Sequence, residues 1–111
     1  MVRLVVYLVL GICHWLPVLC LAGPSETYTI VIKEHKFDPA QLTIPAGQKV
    51  KVVIDNQDPT PEEFESYELN REKVVAGSKQ IIIYLGPLKT GSYKYFGDFH
   101  IETAQGVIVA Q

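Results

Sequence analysis

Short segments of alternating apolar and polar residues, separated by turn-forming residues, leave little choice of fold for this 111-residue chain. Residues 28–33 and 50–55 alternate in this way, which is the period of a strand with one buried face. Residues 80–85 are almost wholly apolar, which predicts a strand in the middle of a sheet. Turns rich in Pro, Gly or Asn divide the segments. The pattern gives about seven strands and no amphipathic helix, so it predicts an all-β sandwich.

The first 22 residues have the composition of an export signal. Arg3 gives a positive start, residues 4–10 are apolar, and residues 20–22 end the segment with a small-residue cleavage pattern. The apolar part is short for a membrane span, which needs about 20 apolar residues. We therefore expect a signal peptide cleaved near Ala22, followed by one domain at 23–111. A retained anchor and lipidation of a cysteine are the alternatives.

Cleavage at this point would remove every sulfur-containing side chain. The two cysteines, Cys13 and Cys20, and the single methionine lie in the first 22 residues, and the histidines that follow are His35 and His100. A blue-copper centre is then excluded because it needs a thiolate ligand, and no disulfide can form. The chain has a formal net charge of −2 and no basic patch, so nothing indicates a nucleic-acid partner.

The last part of the sequence has the order of a known metal-binding loop. Tyr93 and Tyr95 occupy alternate positions of a strand, a loop with His100 follows, and the chain returns through Gly106 into the apolar residues 107–109. This order resembles the metal-binding loop of cupredoxins, small β-sandwich proteins that hold copper. Weaker matches follow in sequence from Phe37 onward, so the resemblance covers nearly the whole domain and implies a Greek-key β-sandwich.

The cupredoxin resemblance also identifies the positions of the family's ligands. Its cysteine position is Gly97 here, its second histidine is His100, and its methionine position is Ala104 or Gln105. The first histidine position is filled by Glu62, which the resemblance places close to His100. Two of the usual ligands are therefore absent, and a carboxylate stands where a third would be.

Acidic residues flank both of the positions that remain. If Phe64 faces the core, the strand period points Glu62 to the same side and Glu63 and Glu65 to the other. After the strand that precedes the loop, Asp98, His100 and Glu102 alternate with apolar residues and are expected to share a face. The residues predicted to bind metal are Glu62, Glu63, Glu65, Asp98 and His100.

Carboxylates and one imidazole form a hard to intermediate donor set, which suits iron, manganese, zinc or Cu(II) rather than Cu(I). A metal-free interpretation is open as well, because charged edge strands resist aggregation and Arg71 or Lys73 could offset the acidic charge. His35 ends a strand before a turn, and we interpret it as a structural or solvated residue.

The residues 63–65, 71–73 and 97–100 resemble one branch of the cupredoxins. These are the periplasmic proteins of bacterial ferrous-iron uptake systems, of the FtrB and EfeO types. The resemblance implies a periplasmic protein that binds an iron or copper ion and supports iron uptake beside an iron permease or a periplasmic iron-binding protein. It implies contact with the membrane only through that partner, and a homodimer is possible.

Two other functions fit the same residues. One is a copper-dependent ferroxidase component, although two histidines are few for a copper centre, and we expect at most an auxiliary role in Fe(II) oxidation. The other is a metal-free interaction domain whose acidic strand docks to the permease.

Overall fold

The computed structural model of the protein describes residues 16–17 and 26–111. Apart from 16 and 17, the expected signal peptide at 1–22 lies outside the described residues. Within the described ranges, none of the helical segments has the length and apolar character needed to cross a bilayer.

The described domain contains nine strands and a single 3₁₀ helix, two strands more than the sequence pattern predicted. The additional strands are short segments at sheet edges, where alternation is weak. The elements are β1 (Thr27–Lys33), β2 (Lys36–Asp38), β3 (Gln41–Ile44), β4 (Val50–Asn56), β5 (Glu62–Ser66), β6 (Arg71–Val75), β7 (Gln80–Leu85), β8 (Gly91–Gly97), the 3₁₀ helix Asp98–His100 and β9 (Gln105–Ala110).

The strands form two sheets packed face to face. One has four strands in the order β2-β1-β4-β7, and the other has five in the order β3-β9-β8-β5-β6. The pairs β1–β4 and β3–β9 are parallel and the rest are antiparallel. The predicted all-β sandwich is confirmed, and its cupredoxin-like topology agrees with the resemblance.

Alternation along the strands fills the space between the sheets. On β4, Val50, Val52 and Ile54 are almost fully buried while the residues between them are partly exposed. At the centre, the Tyr95 ring stacks on Phe64 with the ring centroids 4.8 Å apart, and Phe37 meets Tyr95 edge-on at 4.9 Å. Phe64 lies two residues after Glu62 on the same face of β5, so this aromatic cluster packs next to the end of the sandwich that carries Glu62.

Two predictions about single strands are wrong. β7 lies at the edge of its sheet, not in the middle, and Ile82 and Tyr84 are 53% and 50% exposed. The sequence pattern, with no clear alternation at 71–75, also did not predict β6, which these residues form along β5. Only Val75 of β6 is buried, so the hydrophobic pattern that would have predicted this strand is missing.

Candidate metal centre

Four chain segments meet at one end of the sandwich. They are the turn between β1 and β2, the loop after β4, the start of β5, and the 3₁₀ helix after β8. The parallel pairing of β1 with β4 brings the turn after β1 and the loop after β4 to the same end, since Ile32 lies opposite Asn56. The antiparallel pairing of β5 with β8, with Phe64 opposite Gly97, adds the other two.

Glu62 is the centre of this arrangement and is only 1% exposed. Its Oε1 accepts hydrogen bonds from the backbone N–H groups of Phe99, at 2.9 Å, and Glu63, at 3.0 Å. Its Oε2 lies 2.6 Å from Nδ1 of His100. The buried carboxyl group is therefore held by three contacts, and it fixes the position of the His100 ring.

The expected cysteine position has no room for a side chain. A Cβ atom at Gly97 would lie 2.6 Å from Cβ of Ala104 and 2.7 Å from Cδ of Glu62. The Glu62 carboxyl group occupies the space next to Gly97, and the fully buried Ala104 closes it. A sulfur-based copper site does not fit these residues, because the same space cannot hold both the carboxylate and a thiolate.

His35, interpreted from the sequence as a structural or solvated residue, lies beside Glu62 and His100. Its ring lies parallel to that of His100, with the centroids 3.5 Å apart and the planes inclined by 12°. The two residues are 65 positions apart, and His35 lies outside the loop pattern that identified His100. The one signal in the sequence was that His35 is the only other histidine after residue 22.

Asp58 fixes the backbone that carries His35. Glu34 and His35 both have positive φ angles, 54° and 56°, and the Asp58 carboxylate accepts hydrogen bonds from both backbone N–H groups, at 2.8 and 3.0 Å. Burial alone would raise the pKa of Asp58, but these two hydrogen bonds and the nearby His35 and His100 rings hold that pKa below its ordinary value. Asn56 in turn accepts a hydrogen bond from the Asp58 N–H at 3.0 Å.

A second acidic cluster lies on the opposite face of β5. Oxygen atoms of Glu63, Glu65 and Glu72 all lie within 4.8 Å of one another, and Glu65 and Glu72 are directly paired across β5 and β6. A side-chain hydrogen bond with Glu72 raises the pKa of Glu63 to about 7, with burial and nearby negative charges adding to the effect. Burial raises the pKa of Glu65, with the charges of Asp98 and Glu72 adding to the effect.

The basic residues nearby do not neutralise this cluster. Arg71 donates its hydrogen bonds to the backbone carbonyls of Leu69, Asn70 and Tyr84. In the part of the chain that the structure describes, the ion pairs all involve histidines, His35 with Asp58 and His100 with Glu62. The alternative in which Arg71 or Lys73 offsets the acidic charge by direct pairing is therefore not observed.

The five predicted ligands divide into two groups. Glu62 and His100 are in contact, as expected, and Glu63 and Glu65 lie on the other face of β5. Asp98 acts on Glu63 and Glu65 through its charge and does not join His100. The expected alternation from 98 to 102 is wrong because residues 98–100 form a 3₁₀ helix, which does not have a two-residue period. Metal binding by any of the five stays a prediction.

The inner group offers two imidazoles and one carboxylate. Ligand atoms of His35, Glu62 and His100 lie within 4.8 Å of one another. Nitrogen and carboxylate oxygen donors suit Cu(II), iron and zinc. Beside them is an open cavity of about 370 Å³, lined by His35, Phe99, His100, Ile101, Glu102 and Thr103.

The family of the protein follows from both the fold and the sequence. The cupredoxin-like domain model matches residues 4–110, so the chain belongs to the cupredoxin-like domain family. A relative from Rickettsia prowazekii (strain Madrid E), itself uncharacterized, is 51% identical over 93 residues, which cover 78% of this chain and 74% of that protein.

Solved structures share the fold at low sequence identity. Auracyanin A, a blue copper protein from Chloroflexus aurantiacus, superposes with a TM-score of 0.67 at 17% identity, covering 78% of this chain and 99% of that one. The metal-binding domain of the Cu(I)-exporting P-type ATPase CopA from Streptococcus pneumoniae D39 superposes with a TM-score of 0.68 at 15% identity, covering 82% of this chain and 90% of that one. Amicyanin from Paracoccus versutus superposes with a TM-score of 0.62 at 20% sequence identity, covering 81% of this chain and 86% of that one.

Proposed function

We propose that this protein is a periplasmic metal-binding cupredoxin that holds an iron or copper ion through Glu62 and His100 and supports iron uptake. The observation that carries the proposal is the 2.6 Å contact between Glu62 Oε2 and His100 Nδ1, in the space that a cysteine ligand would need. A metal ion would replace the proton of this hydrogen bond, and it would then have one oxygen and one nitrogen donor at the same point.

The donor set determines which ions the proposal includes. Relatives of this fold are copper proteins by name, but the described residues contain neither cysteine nor methionine for a sulfur site. An oxygen and nitrogen set fits Cu(II) and iron, and the bound ion would supply a redox-active or Lewis-acidic centre. Glu62 and His100 would hold it, and the Phe99 and Glu63 amides would keep the carboxylate oriented.

The cellular setting is proposed from the sequence. The signal-like composition of residues 1–22 supports export to the periplasm. The similarity to ferrous-iron uptake proteins supports an iron permease or a periplasmic iron-binding protein as partner. The observed separation of Glu63 and Glu65 from His100 leaves Glu62 as the predicted acidic ligand next to the imidazole.

One observation favours a second candidate, the metal-free interaction domain. Every buried polar side-chain atom among the described residues has a hydrogen-bond partner without any ion. Phe99 and Ile101, next to His100, are 46% and 50% exposed and would offer apolar area to a partner protein. In this alternative the Glu62–His100 pair is a structural contact and the permease is the partner.

Metal titration distinguishes the two candidates. The purified protein is titrated with Cu(II) and with Fe(II) under anaerobic conditions, by calorimetry and by thermal unfolding. At a free ion concentration of 100 times Kd, binding to the folded state alone adds about 2.7 kcal/mol to the free energy of unfolding. For a domain of this size, that corresponds to a rise in Tm of roughly 10 °C or more.

Two variants at the proposed ligands and one control variant accompany this titration. Glu62→Gln and His100→Ala are expected to abolish saturable binding, whereas Glu65→Gln, on the opposite face of β5, is expected to retain it. If the unaltered protein shows neither saturable binding nor a change in Tm with either ion, the metal-binding function is wrong and the interaction domain is favoured.

A further inference from the structure

We infer that His35 is a third ligand of the site and that it reaches the ion by leaving its stack on His100. The inference rests on the proposed function, since it needs a metal at Glu62 and His100. His35 lies outside the four positions that correspond to the ligands of the cupredoxin family, and it comes from the turn between β1 and β2.

The distances place His35 within reach of the same ion. Its ligand atoms lie within 4.8 Å of those of Glu62 and His100. One ion about 2 Å from each ligand atom needs those atoms within about 4 Å of one another, so a small side-chain movement would bring this set onto one ion. Glu62 is buried while the two imidazoles are only partly so, which means that both rings can approach an ion from the solvent side.

The orientation of the two rings shows that this set is not yet aligned for binding. The lone pair of an imidazole nitrogen lies in the plane of its ring. Because the His35 and His100 planes are 3.5 Å apart and nearly parallel, their lone pairs do not converge on one point. An ion in the plane of His100 would lie above the face of His35, so the His35 ring must tilt before it can bind.

The structure leaves the His35 side chain free to make this movement. It is 42% exposed, and besides stacking on His100 its side chain contacts Asp58, with Nδ1 and Oδ2 3.5 Å apart. The open cavity of about 370 Å³ borders the ring. The backbone, by contrast, is held by the two hydrogen bonds to Asp58, so the ring pivots about a fixed Cα atom.

The backbone of this turn supports a role beyond chain reversal. Glu34 and His35 both adopt the left-handed conformation that Gly, Asn or Asp occupies at lower cost in a two-residue hairpin. Such backbone conformations persist where the surroundings enforce them, and they concentrate at functional sites. Here the buried Asp58 enforces the conformation that directs His35 over His100.

A third ligand also specifies the class of ion. Two imidazoles and a carboxylate, without sulfur, favour divalent Cu(II), Fe(II) or Zn(II) over Cu(I). The site is therefore expected to take up the oxidised form of copper, and reduction of the bound ion to Cu(I) should weaken its binding.

The test compares two substitutions at position 35, with Cu(II) as the probe. His35→Phe keeps an aromatic ring over His100 but has no nitrogen donor, and His35→Ala removes both the ring and the donor. Cu(II) affinity is measured by competition with a chelator of known affinity, and the coordinated nitrogens are counted from hyperfine couplings in electron paramagnetic resonance spectra.

If His35 is a ligand, both variants lose at least about 10-fold in Cu(II) affinity and the spectrum changes from two coupled nitrogens to one. If His35→Phe binds Cu(II) within about twofold of the unaltered protein with the same spectrum, His35 only packs on His100 and the inference is wrong. If binding is lost in Glu62→Gln and His100→Ala but not in His35→Phe, the proposed function stands without the third ligand.

A second measurement needs no substitution. Zn(II) is added to the ¹⁵N-labelled protein and the imidazole nitrogens are observed by nuclear magnetic resonance. A ligand shows a large shift of one ring nitrogen on both His35 and His100. A shift confined to His100 overturns the inference even if a variant at position 35 fails to fold.

Discussion

The two faces of β5 carry the same kind of side chain in opposite surroundings. Glu62, on the inner face, receives hydrogen bonds from two backbone amides and contacts His100. Glu63 and Glu65, on the outer face, meet another carboxyl group, Glu72, and the charge of Asp98. One strand thus separates a carboxylate surrounded by donors from carboxylates surrounded by one another.

The difference shows how little a run of acidic residues says about metal binding. The outer cluster reduces its repulsion by sharing a proton between Glu63 and Glu72, which is why the pKa of Glu63 rises to about 7. The inner carboxylate instead accepts hydrogen bonds from two backbone amides and contacts His100. Only the inner face brings imidazole nitrogens to the carboxylate, and only there do oxygen and nitrogen donors meet.

Removing the inner carboxylate should have the largest effect on stability. Glu62→Ala leaves the Phe99 amide and the His100 ring without their acceptor and opens a cavity at a buried position. Loss of one partner of a buried pair costs about 3–5 kcal/mol, and the partial exposure of His100 places this case near 3 kcal/mol. Urea unfolding of the metal-free protein measures it.

The outer face provides the control for this prediction. Glu65→Ala removes a carboxylate that faces Glu72 across the strand pair, so it should cost no stability near neutral pH. Equal losses in the two variants would mean that the two faces of β5 do not differ in the way proposed here.

A substitution at Gly97, on the neighbouring strand β8, tests the packing around Glu62. Gly97→Ala places a Cβ atom 2.6 Å from that of Ala104 and 2.7 Å from Glu62 Cδ, which forces one of them to move. Overpacking of this kind costs about 1–3 kcal/mol. At Gly91, on the same strand, a Cβ atom would make only ordinary van der Waals contacts, the nearest at 3.8 Å, so Gly91→Ala should change stability by about 0.5 kcal/mol or less. Comparable losses would contradict this explanation.

The sequence was sufficient to predict the fold and, within the site, the positions of Glu62 and His100. Alternation in β1 and β4 predicted the sandwich, and the loop around His100 indicated where the site would lie. Period-two alternation also placed Glu62 and Phe64 on one side of β5 and Glu63 and Glu65 on the other; the structure agrees, although Glu63 is buried as well. These predictions succeeded because each depends on residues close together in the chain.

The predictions that failed depend on contacts between distant segments. The stacking of His35 on His100 was not predicted, because it joins segments that belong to different sheets and no local pattern around His35 records that packing. The apolar residues of β7 predicted a central strand, but strand order is set by pairing across the sheet. The tight 3₁₀ turn at Asp98 redirected that carboxylate to the outer cluster, which alternation alone could not predict.

A second inner carboxylate, Asp58, should have a moderate effect. Asp58→Asn keeps the shape of the side chain but replaces one of the two oxygens that accept the Glu34 and His35 amides. A lost hydrogen bond to a charged group costs about 1.5–3 kcal/mol, and partial exposure of this turn favours the lower value. Chemical denaturation gives the loss, and Asp55→Asn on the exposed side of β4 should be close to neutral.

The pH dependence of stability should separate Asp58 from the outer cluster. The folded-state pKa of Asp58 lies below its ordinary value of 3.8, so its stabilisation is present above that pH and is lost as the pH falls through the lower folded value. The free energy of unfolding should therefore decline below pH 4, and this decline should be smaller in Asp58→Asn. The same decline at low pH in that variant would contradict the role assigned to Asp58.

The stability contributed by the outer cluster, Glu63, Glu65 and Glu72, should fall as the pH rises. This pH dependence has the opposite sign to that of Asp58, and we expect it to be the smallest of these effects. The folded-state pKa of Glu63, about 7, lies above its ordinary value of 4.5, so the folded protein binds this proton more tightly than the unfolded chain. The resulting stabilisation is complete below about pH 4.5 and is lost as the pH rises to about 7. Glu63→Gln, whose amide donates to Glu72 at every pH, should flatten the stability curve over this interval, whereas Glu102→Gln, at an exposed position outside the cluster, should leave it unchanged. A slope that persists in Glu63→Gln would mean that the proton shared on the outer face of β5 is not what relieves the repulsion there.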